Sequence, residues 1–246
     1  MDRMLYIAMS GARQTMAAQA VNAQNLANVS TAGFREDLLA FASQEVPGAG
    51  LPSRVYNTAY SVGTNLAPGS IHTTGNDLDI AVSGEGWIAV QAPDGTEAYT
   101  RAGDLRFNGV GLLTTGAGHP VLGNGGPIAI PPAETIEVGR DGTISIRPVG
   151  QGPNTLAVVD RIKLVNPPAK GMEKGADGLM RIAGRGDASA DAGVTVVSGA
   201  LEMSNVNAVD ALVNMMELSR QFEMHIKIMK TAQENDAASV RLLGMR

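Results

Sequence analysis

The residue types that most often carry out chemistry are sparse in this chain of 246 residues. Its three histidines, His72, His119 and His225, lie far apart and lack the HExxH spacing that places two imidazoles on one helix face for a metal ion. Asp77 and Asp79 alternate along a strand edge, which is a poor arrangement for two carboxylates that work together, and we interpret them as solvated turn and strand residues. These spacings predict neither a metal centre nor an acid–base pair.

Two glycine-rich stretches could belong to a nucleophile elbow or a phosphate-binding loop, but neither has the required pattern. Ser83-Gly84-Glu85-Gly86 does not match GxSxG, and the GNGG at residues 123–126 lacks the strand-to-helix context of a phosphate loop. The chain has no cysteine, which excludes disulfides, thiolate metal ligands and a cysteine nucleophile. We therefore read both stretches as turns and predict that the protein is not an enzyme, with no catalytic residue, cofactor or metal.

The overall charge and composition limit the remaining classes of function. The formal net charge of −5 argues against a nucleic-acid-binding protein, which would carry a basic patch or stripe. Charged residues make up 17% of the chain, which is low for a fully soluble monomer. The N-terminus lacks the apolar segment of a cleaved signal peptide, and no run approaches the roughly 20 apolar residues of a membrane span. If the protein leaves the cytoplasm, we expect it to do so without a cleaved leader.

Both ends of the chain carry the apolar period of an amphipathic helix. Residues 4–27 repeat apolar side chains, many of them alanine, at spacings of three and four, and residues 207–243 do the same over a longer stretch. Asn207 and Asp210 resemble a capping pair at the start of the second helix. A lone helix is marginally stable in water, so we predict that the two helices pack on each other.

The first helix has an unusual polar face, made of uncharged amides where a solvated helix would carry lysine and glutamate. Amides can hydrogen-bond a neighbour at a smaller desolvation cost than a charge. One reading is an alanine-rich surface helix, and the other is a helix covered on both faces by other subunits. The amide residues are Gln14, Gln19, Asn22, Gln24 and Asn25.

Between the helices, the residue pattern changes twice. Residues 43–75 are dense in Gly and Pro without a clear period, which predicts an extended linker. Residues 76–199 contain short β-rich runs between turn signals, with hairpin turns at 93–95 and 141–142. The predicted fold class is α+β: an antiparallel all-β domain inserted between N- and C-terminal helices that pack as a coiled-coil-like pair. The terminal helical assembly domain is expected to comprise residues 1–42 and 200–246.

Three stretches resemble the bacterial flagellar rod and hook proteins. They are NLANVSTAGFR at 25–35, a run of β sequence that begins with TGNDLDIAVSGEGWIAV at 74–90, and SGALEMSNVNAVDALVNMMELSRQFE at the start of 198–244. The resemblance covers most of the chain in the expected order, and the length is similar to that of a rod subunit. It implies export of the unfolded chain through the flagellar type III export apparatus without a cleaved signal peptide. It also implies assembly with the terminal helices in an inner tube and the β domain outside.

The resemblance predicts a structural subunit of the proximal rod, in the basal body where the rod spans the periplasm. It would polymerise through its terminal helices as a homo-oligomer with other flagellar rod proteins and transmit torque, with no nucleic acid and no small-molecule substrate. Alternatives are a distal rod subunit or another axial protein of the family and, from a different class, a secreted carbohydrate-active or adhesive β protein.

The expected mechanism is folding on assembly. Both ends would lack stable structure in the free chain, and on incorporation the large residues of the first helix would bury against those of the second. The candidate interface residues are Leu5, Met9, Met16, Asn25, Leu26, Asn28, Gly33, Phe34, Leu212, Met215, Phe222, Ile226, Met229, Val240 and Leu243.

Overall fold

A computed structural model of the chain describes residues 2–45, 55–148, 150, 156–184 and 186–243. These residues form two compact units. Unit 1 contains the two terminal helices together with residues 37–63, and unit 2 contains residues 28–36 and 64–205, in each case as far as they are described. The chain therefore enters unit 2 twice, first through a short loop and later through its long central stretch.

The α+β prediction is confirmed, because helices α1 (Asp2–Ala27) and α2 (Ala208–Leu243) lie at either end of a long series of strands. The strands are β1 (Asp37–Glu45), β2 (Val55–Thr64), β3 (Ile71–Thr73), β4 (Ile80–Ser83), β5 (Trp87–Gln91), β6 (Glu97–Thr100), β7 (Leu105–Phe107), β8 (Leu113–Thr115), β9 (Ala133–Val138), β10 (Thr143–Pro148), β11 (Ala157–Arg161), β12 (Leu164–Val165), β13 (Met172–Lys174), β14 (Met180–Ile182), β15 (Thr195–Ser198) and β16 (Ala200–Glu202).

In unit 1, α1 and α2 pack against each other through small side chains. The helices run antiparallel, because Gly11 lies against His225 while Asn22 bonds Ala211. Small residues let two helix backbones approach closely. The residues of α1 that this arrangement buries are Ala8, Gly11, Ala12, Thr15 and Ala18.

The predicted burial of the large α1 side chains against α2 is not what the single chain shows. Met9 is 51% exposed and Met16 is 57% exposed, and Leu5 is also exposed. The physical reason is that α1 turns its alanine and glycine stripe, which is offset from the leucine and methionine stripe, toward α2. The large side chains are therefore left on the outside.

Residues 37–45 and 55–64 form a pair of strands where the sequence predicts an extended linker from residue 43 onward. Strands β1 and β2 pair with each other, and the run VYNTAYSV at 55–62 is rich in the β-branched and aromatic residues that favour strands. The Gly- and Pro-rich stretch 46–54, which suggested a linker, lies outside the described residues. Residues 64–75 and 200–205 belong to unit 2, so the units do not coincide with the predicted domain limits.

Unit 2 is built from antiparallel strand pairs. Its largest sheet has the order β12-β5-β6-β14-β13, and a three-stranded sheet has the order β11-β10-β9. The predicted hairpins are confirmed: β5 pairs with β6 and β9 pairs with β10. Gly95 and Gly142 in the two turns have φ values of 83° and 82°, a backbone conformation that favours glycine. The turn residues therefore specify both hairpins locally.

The core of unit 2 consists of aliphatic side chains from many short strands, with a smaller cluster around Trp87 and Tyr99. The run VTVVSGALE at 194–202 is divided into two strands by Gly199, whose φ is 74°. Strand β15 pairs with β4, and β16 pairs with β3.

Within the described ranges, neither helix combines the length and the hydropathy that a membrane-spanning segment needs.

Candidate assembly site

The large apolar side chains of α1 and α2 form two outward apolar faces in unit 1. On α1 the exposed residues include Met4, Leu5, Tyr6, Met9 and Met16. On α2, the candidate residues Leu212, Ile226 and Val240 are exposed, whereas Met215, Phe222 and Met229 are half-buried. The side chain of Leu243 lies outside the described residues. The exposed residues of α2 that the sequence stripe omitted are Val209, Val213, Met216, Met224 and Ile228.

The helix contact that sequence reasoning missed centres on Gly11. A Cβ at this position would overlap the imidazole of His225, so the ring of His225 occupies the space that any other residue would fill. Thr15 Oγ1 donates to the Gly11 carbonyl at 3.0 Å, which satisfies the hydroxyl within the same helix. A glycine in a helix interior is otherwise unfavourable, and this was the available signal that Gly11 packs closely against another element.

The amide face of α1 is used within the chain. Asn25 is buried, donates from Nδ2 to the Asp37 carbonyl at 2.9 Å and accepts from the Asp37 N–H at 3.0 Å. Asn22 Nδ2 donates to the Ala211 carbonyl on α2 at 2.7 Å, and Gln14 Oε1 accepts from the N–H of Ala59 on β2 at 3.2 Å. These three amides attach α2 and the β1–β2 pair to α1 within the chain. Whether this face of α1 also meets other subunits stays a prediction.

In unit 2, the loop of residues 28–36 carries the candidate residues Asn28, Gly33 and Phe34, all half-buried. The N–H of Gly33 donates to the Glu202 carbonyl at 2.7 Å. Gly33 has a φ of 67°, and a Cβ there would overlap the backbone of residues 101–102, so the position requires glycine. The backbone of this loop therefore docks directly on strand β16.

A buried group of charges, absent from the sequence predictions, holds the same loop. We name it the Glu202 cluster: Arg35, Trp87, Arg101 and Glu202. Glu202 accepts from Arg35 Nη2 at 2.6 Å through Oε1 and from Arg101 Nη1 at 2.8 Å through Oε2. All three charged side chains are at most 5% exposed, and both guanidinium groups lie over the Trp87 ring, with centroid distances of 5.7 and 5.4 Å.

Further bonds join the Glu202 cluster to its surroundings. Glu202 Oε1 also accepts from the Gly69 N–H at 2.9 Å, and Arg101 Nη2 donates to the Gly84 carbonyl at 2.8 Å. On the loop, Lys174 Nζ lies 4.0 Å from the centre of the Phe34 ring and donates to the Arg35 carbonyl at 2.8 Å. One carboxylate therefore connects segments that are far apart in sequence.

The Glu202 cluster carries two cations for one anion. Burial lowers the pKa of Arg101, and the neighbouring Glu202 carboxylate opposes that shift. Within the described part of the chain, Arg35 Nε, Arg35 Nη1 and Arg101 Nε have no protein acceptor. A buried charge without a partner costs several kcal/mol, so both arginines depend on Glu202 for their burial. Arg35 directly follows residues 4–34, in which Arg13 is the only charged residue, and this contrast was the sequence signal that could have identified the site.

The remaining polar candidates have structural roles or lie apart. Asp79 is buried and accepts from Thr74 Oγ1 at 2.6 Å and from Asn76 Nδ2 at 3.1 Å, so its interpretation as a solvated residue is wrong. It is a turn-stabilising residue because the turn brings two donors to one carboxylate. The described residues contain no group of three or more His, Asp or Glu side chains that could hold a metal ion.

Three family models match the chain in the order of its elements. The model described as "Flagella basal body rod protein" matches residues 5–35, "Flagellar hook protein FlgE/F/G D1 domain" matches 81–146, and "Flagellar basal body rod FlgEFG protein C-terminal" matches 197–242. Each matched segment contributes to the Glu202 cluster: Arg35 from the first, Trp87 and Arg101 from the second, and Glu202 from the third.

The chain is also similar to characterised proteins along its whole length. It is 41% identical to the flagellar basal-body rod protein FlgF of Salmonella typhimurium and 42% identical to that of Escherichia coli, in each case over 251 aligned residues covering 100% of both chains. It is 33% identical to the flagellar basal-body rod protein FlgG of Bacillus subtilis, covering 95% of this chain and 96% of that one. On these matches, the chain belongs to the family of flagellar basal-body rod proteins.

Proposed function

We propose that the protein is a structural subunit of the flagellar rod in the basal body, with no catalytic role. The observation that supports this proposal is the inverted helix pair of unit 1, in which small residues lie inside and large apolar residues lie outside. Exposed apolar faces of this kind mark protein–protein interfaces. The relatives named as basal-body rod proteins identify the kind of structure in which such faces would be covered.

The proposed partners are further copies of this chain and other rod proteins. The exposed residues of α1 and α2 would pack into the helices of neighbouring subunits, in a coiled-coil-like arrangement that extends the pair within one chain. Burying each large apolar side chain fully contributes about 1.5–3 kcal/mol. This contribution adds to that of the packing within the chain, and both oppose the ordering of the helices, which costs about 1–2 kcal/mol per residue in backbone entropy. Assembled subunits would then transmit torque along the rod.

We further propose that the terminal helices acquire full stability only on assembly. The contact between α1 and α2 is made largely by small side chains, which bury little apolar area. A chain whose ends are weakly structured would suit passage through the flagellar type III export apparatus without a cleaved signal peptide. Circular dichroism of a dilute monomer is expected to show a weak helix signal beside an intact β signal.

The position of the subunit along the rod is a separate proposal. Similarity to FlgF at 41–42% identity over both full chains, against 33% for FlgG of Bacillus subtilis, favours the proximal rod. The distal rod is the second candidate because the FlgG match still covers nearly the whole chain. The axial position of labelled subunits in isolated basal bodies distinguishes the two.

The experiment for the assembly role combines Met9→Gln and Met16→Gln in one variant, which is expressed in a strain that lacks its own copy of the gene. Both side chains are exposed in the single chain, and glutamine has a helix propensity close to that of methionine, so the free protein should fold as before. We expect loss of rod incorporation and of swimming. The matched control is Val110→Gln, at an exposed apolar residue of unit 2, which should swim normally. Normal swimming by the double variant would contradict the proposal.

A further inference from the structure

The Glu202 cluster has a charge imbalance that ties one chain segment to another. Arg35 reaches the cluster on the 28–36 loop, whereas Arg101 reaches it from the central part of unit 2. Without the Glu202 carboxylate, docking of the loop would bury two guanidinium groups side by side over Trp87. Like charges repel, and burying a charge with no partner is strongly unfavourable. The loop therefore has no stable docked position until residue 202 is in place.

Strand β16 can take its place without the loop. It pairs with β3, where Leu201 faces His72 and Glu202 faces Ile71, and the N–H of Met203 donates to the Ser70 carbonyl at 2.8 Å. The Gly69 N–H and Arg101 then already provide Glu202 with hydrogen bonds and one balancing charge. The Arg101–Glu202 pair is thus neutral and bonded before Arg35 arrives, and the loop adds the second cation.

We infer that Glu202 is the positioning residue for the 28–36 loop, and that it makes docking of this N-terminal loop conditional on the C-terminal strand β16. The dependence has one direction: the loop requires β16, but β16 does not require the loop. A chain that ends before residue 202 would keep its loop undocked. The inference concerns the single chain and goes beyond the proposed role in the rod, so it holds or fails independently of assembly.

Three backbone amides of unit 2 report the relevant states in the full-length protein. The Gly33 amide, bonded to the Glu202 carbonyl, reports loop docking. The Met203 amide, bonded to Ser70, reports the β16–β3 pair, and the Ala89 amide, bonded to the Lys163 carbonyl at 3.0 Å, reports the central sheet. Hydrogen exchange resolved by NMR measures all three in one sample.

The first variant is Glu202→Gln, which keeps the shape of the side chain but removes its charge. We expect exchange at Gly33 to accelerate by roughly 100-fold or more, because breaking a buried ion pair leaves uncompensated charge. Exchange at Ala89 should stay unchanged. The control is Glu97→Gln, which breaks the partly buried pair of Glu97 with Lys163 at 2.7 Å and should leave Gly33 as in the parent protein.

The second variant, Arg35→Met, tests the direction of the dependence and remains informative if Glu202→Gln fails to fold. It leaves the Arg101–Glu202 pair balanced, so exchange at Gly33 should accelerate by roughly 10- to 100-fold while Met203 and Ala89 stay protected. Acceleration at Met203 together with Gly33 would overturn the one-way dependence. Unchanged exchange at Gly33 in Glu202→Gln, or equal acceleration at all three amides, would overturn the positioning role of Glu202.

Discussion

Units 1 and 2 of this protein place their apolar side chains in opposite ways. In unit 2, large aliphatic residues such as Ile80, Ile88 and Ile144 are fully buried among short strands. In unit 1, the helix contact is lined by small residues, and large residues such as Met9 and Met16 are left exposed. The difference indicates that unit 2 completes its core within one chain, whereas unit 1 leaves its most apolar surface exposed, as the proposed assembly role requires.

The polar groups of the two units differ in the same sense. Unit 1 joins its elements through neutral amides, as in the double hydrogen bond of Asn25 with the backbone of Asp37. Unit 2 joins its segments through the fully buried charges of the Glu202 cluster. A buried charge group tolerates little error, because losing one partner leaves another charge uncompensated. We therefore expect unit 2 to tolerate few substitutions among the charges that join its segments, and unit 1 to tolerate more among its joining amides.

The largest expected effect comes from truncating one isoleucine in each unit. Ile88→Ala removes a side chain that is 0% exposed and should lower the free energy of unfolding of unit 2 by about 2–5 kcal/mol through the cavity it leaves. Ile226→Ala, at a side chain that is 45% exposed, should change monomer stability by no more than about 0.5 kcal/mol while weakening rod incorporation. Chemical denaturation of both purified variants measures the contrast, and similar losses would remove the distinction between the units.

The next effect concerns alkaline pH. Burial raises the pKa of Tyr99 to about 12, so its neutral form is favoured in the folded protein. Tyrosine in the unfolded chain titrates near about pH 10. The stability that the folded protein owes to a neutral Tyr99 is therefore complete below that pH and is lost as the pH rises toward 12. The free energy of unfolding should fall by up to about 3 kcal/mol over this range.

Tyr99→Phe also removes the hydrogen bond that Tyr99 Oη accepts from the Ala188 N–H at 2.7 Å, and this loss changes the free energy of unfolding at every pH. The comparison therefore uses the slope of the unfolding free energy against pH rather than its absolute value. Tyr99→Phe should flatten the decline in unfolding free energy between about pH 10 and 12, relative to the parent protein. Tyr60→Phe, at an exposed residue of β2 in unit 1, should retain the parent slope. Identical slopes in all three proteins would contradict a dry environment around Tyr99.

The smallest expected effect tests the close approach of the helices in unit 1. Gly11→Val places branched carbons where the imidazole of His225 lies, and such overpacking typically costs about 1–3 kcal/mol. Ala17→Val introduces the same side chain at an exposed position of α1 and should cost a few tenths of a kcal/mol through its helix propensity. Thermal melting followed by the helix ellipticity that the monomer retains compares the two variants. Equal melting temperatures would show that the small-residue contact does not hold α1 against α2.

Much of the fold could be predicted because its signals are local. The helix limits were expected at 4–27 and 207–243 and are Asp2–Ala27 and Ala208–Leu243. The Asn207 cap and the turns at Gly95 and Gly142 depend on a few adjacent residues, so their patterns were sufficient. The β1–β2 pair was missed because the nearby Gly- and Pro-rich stretch drew attention away from the β-branched and aromatic residues of β2.

The candidate site was less predictable, because an apolar stripe does not specify which neighbour covers it. The stripes correctly marked α1 and α2 as amphipathic, but a helix with both a large-residue and a small-residue face can pack through either. Packing within the chain is made through the small face, whose residues let the backbones approach. Whether the remaining candidate residues, including Leu26 and Leu212, meet other subunits stays a prediction.

The sequence by itself determined the two terminal helices, the turn-rich antiparallel β region between them and the resemblance to rod proteins. These properties depend on residue period, turn chemistry and short motifs, all of which are local. Only the tertiary structure showed that Glu202 balances Arg35 and Arg101, and that Gly11 receives His225. Such pairings join residues far apart in the chain, and charge balance or side-chain volume selects them only once folding has brought those residues together.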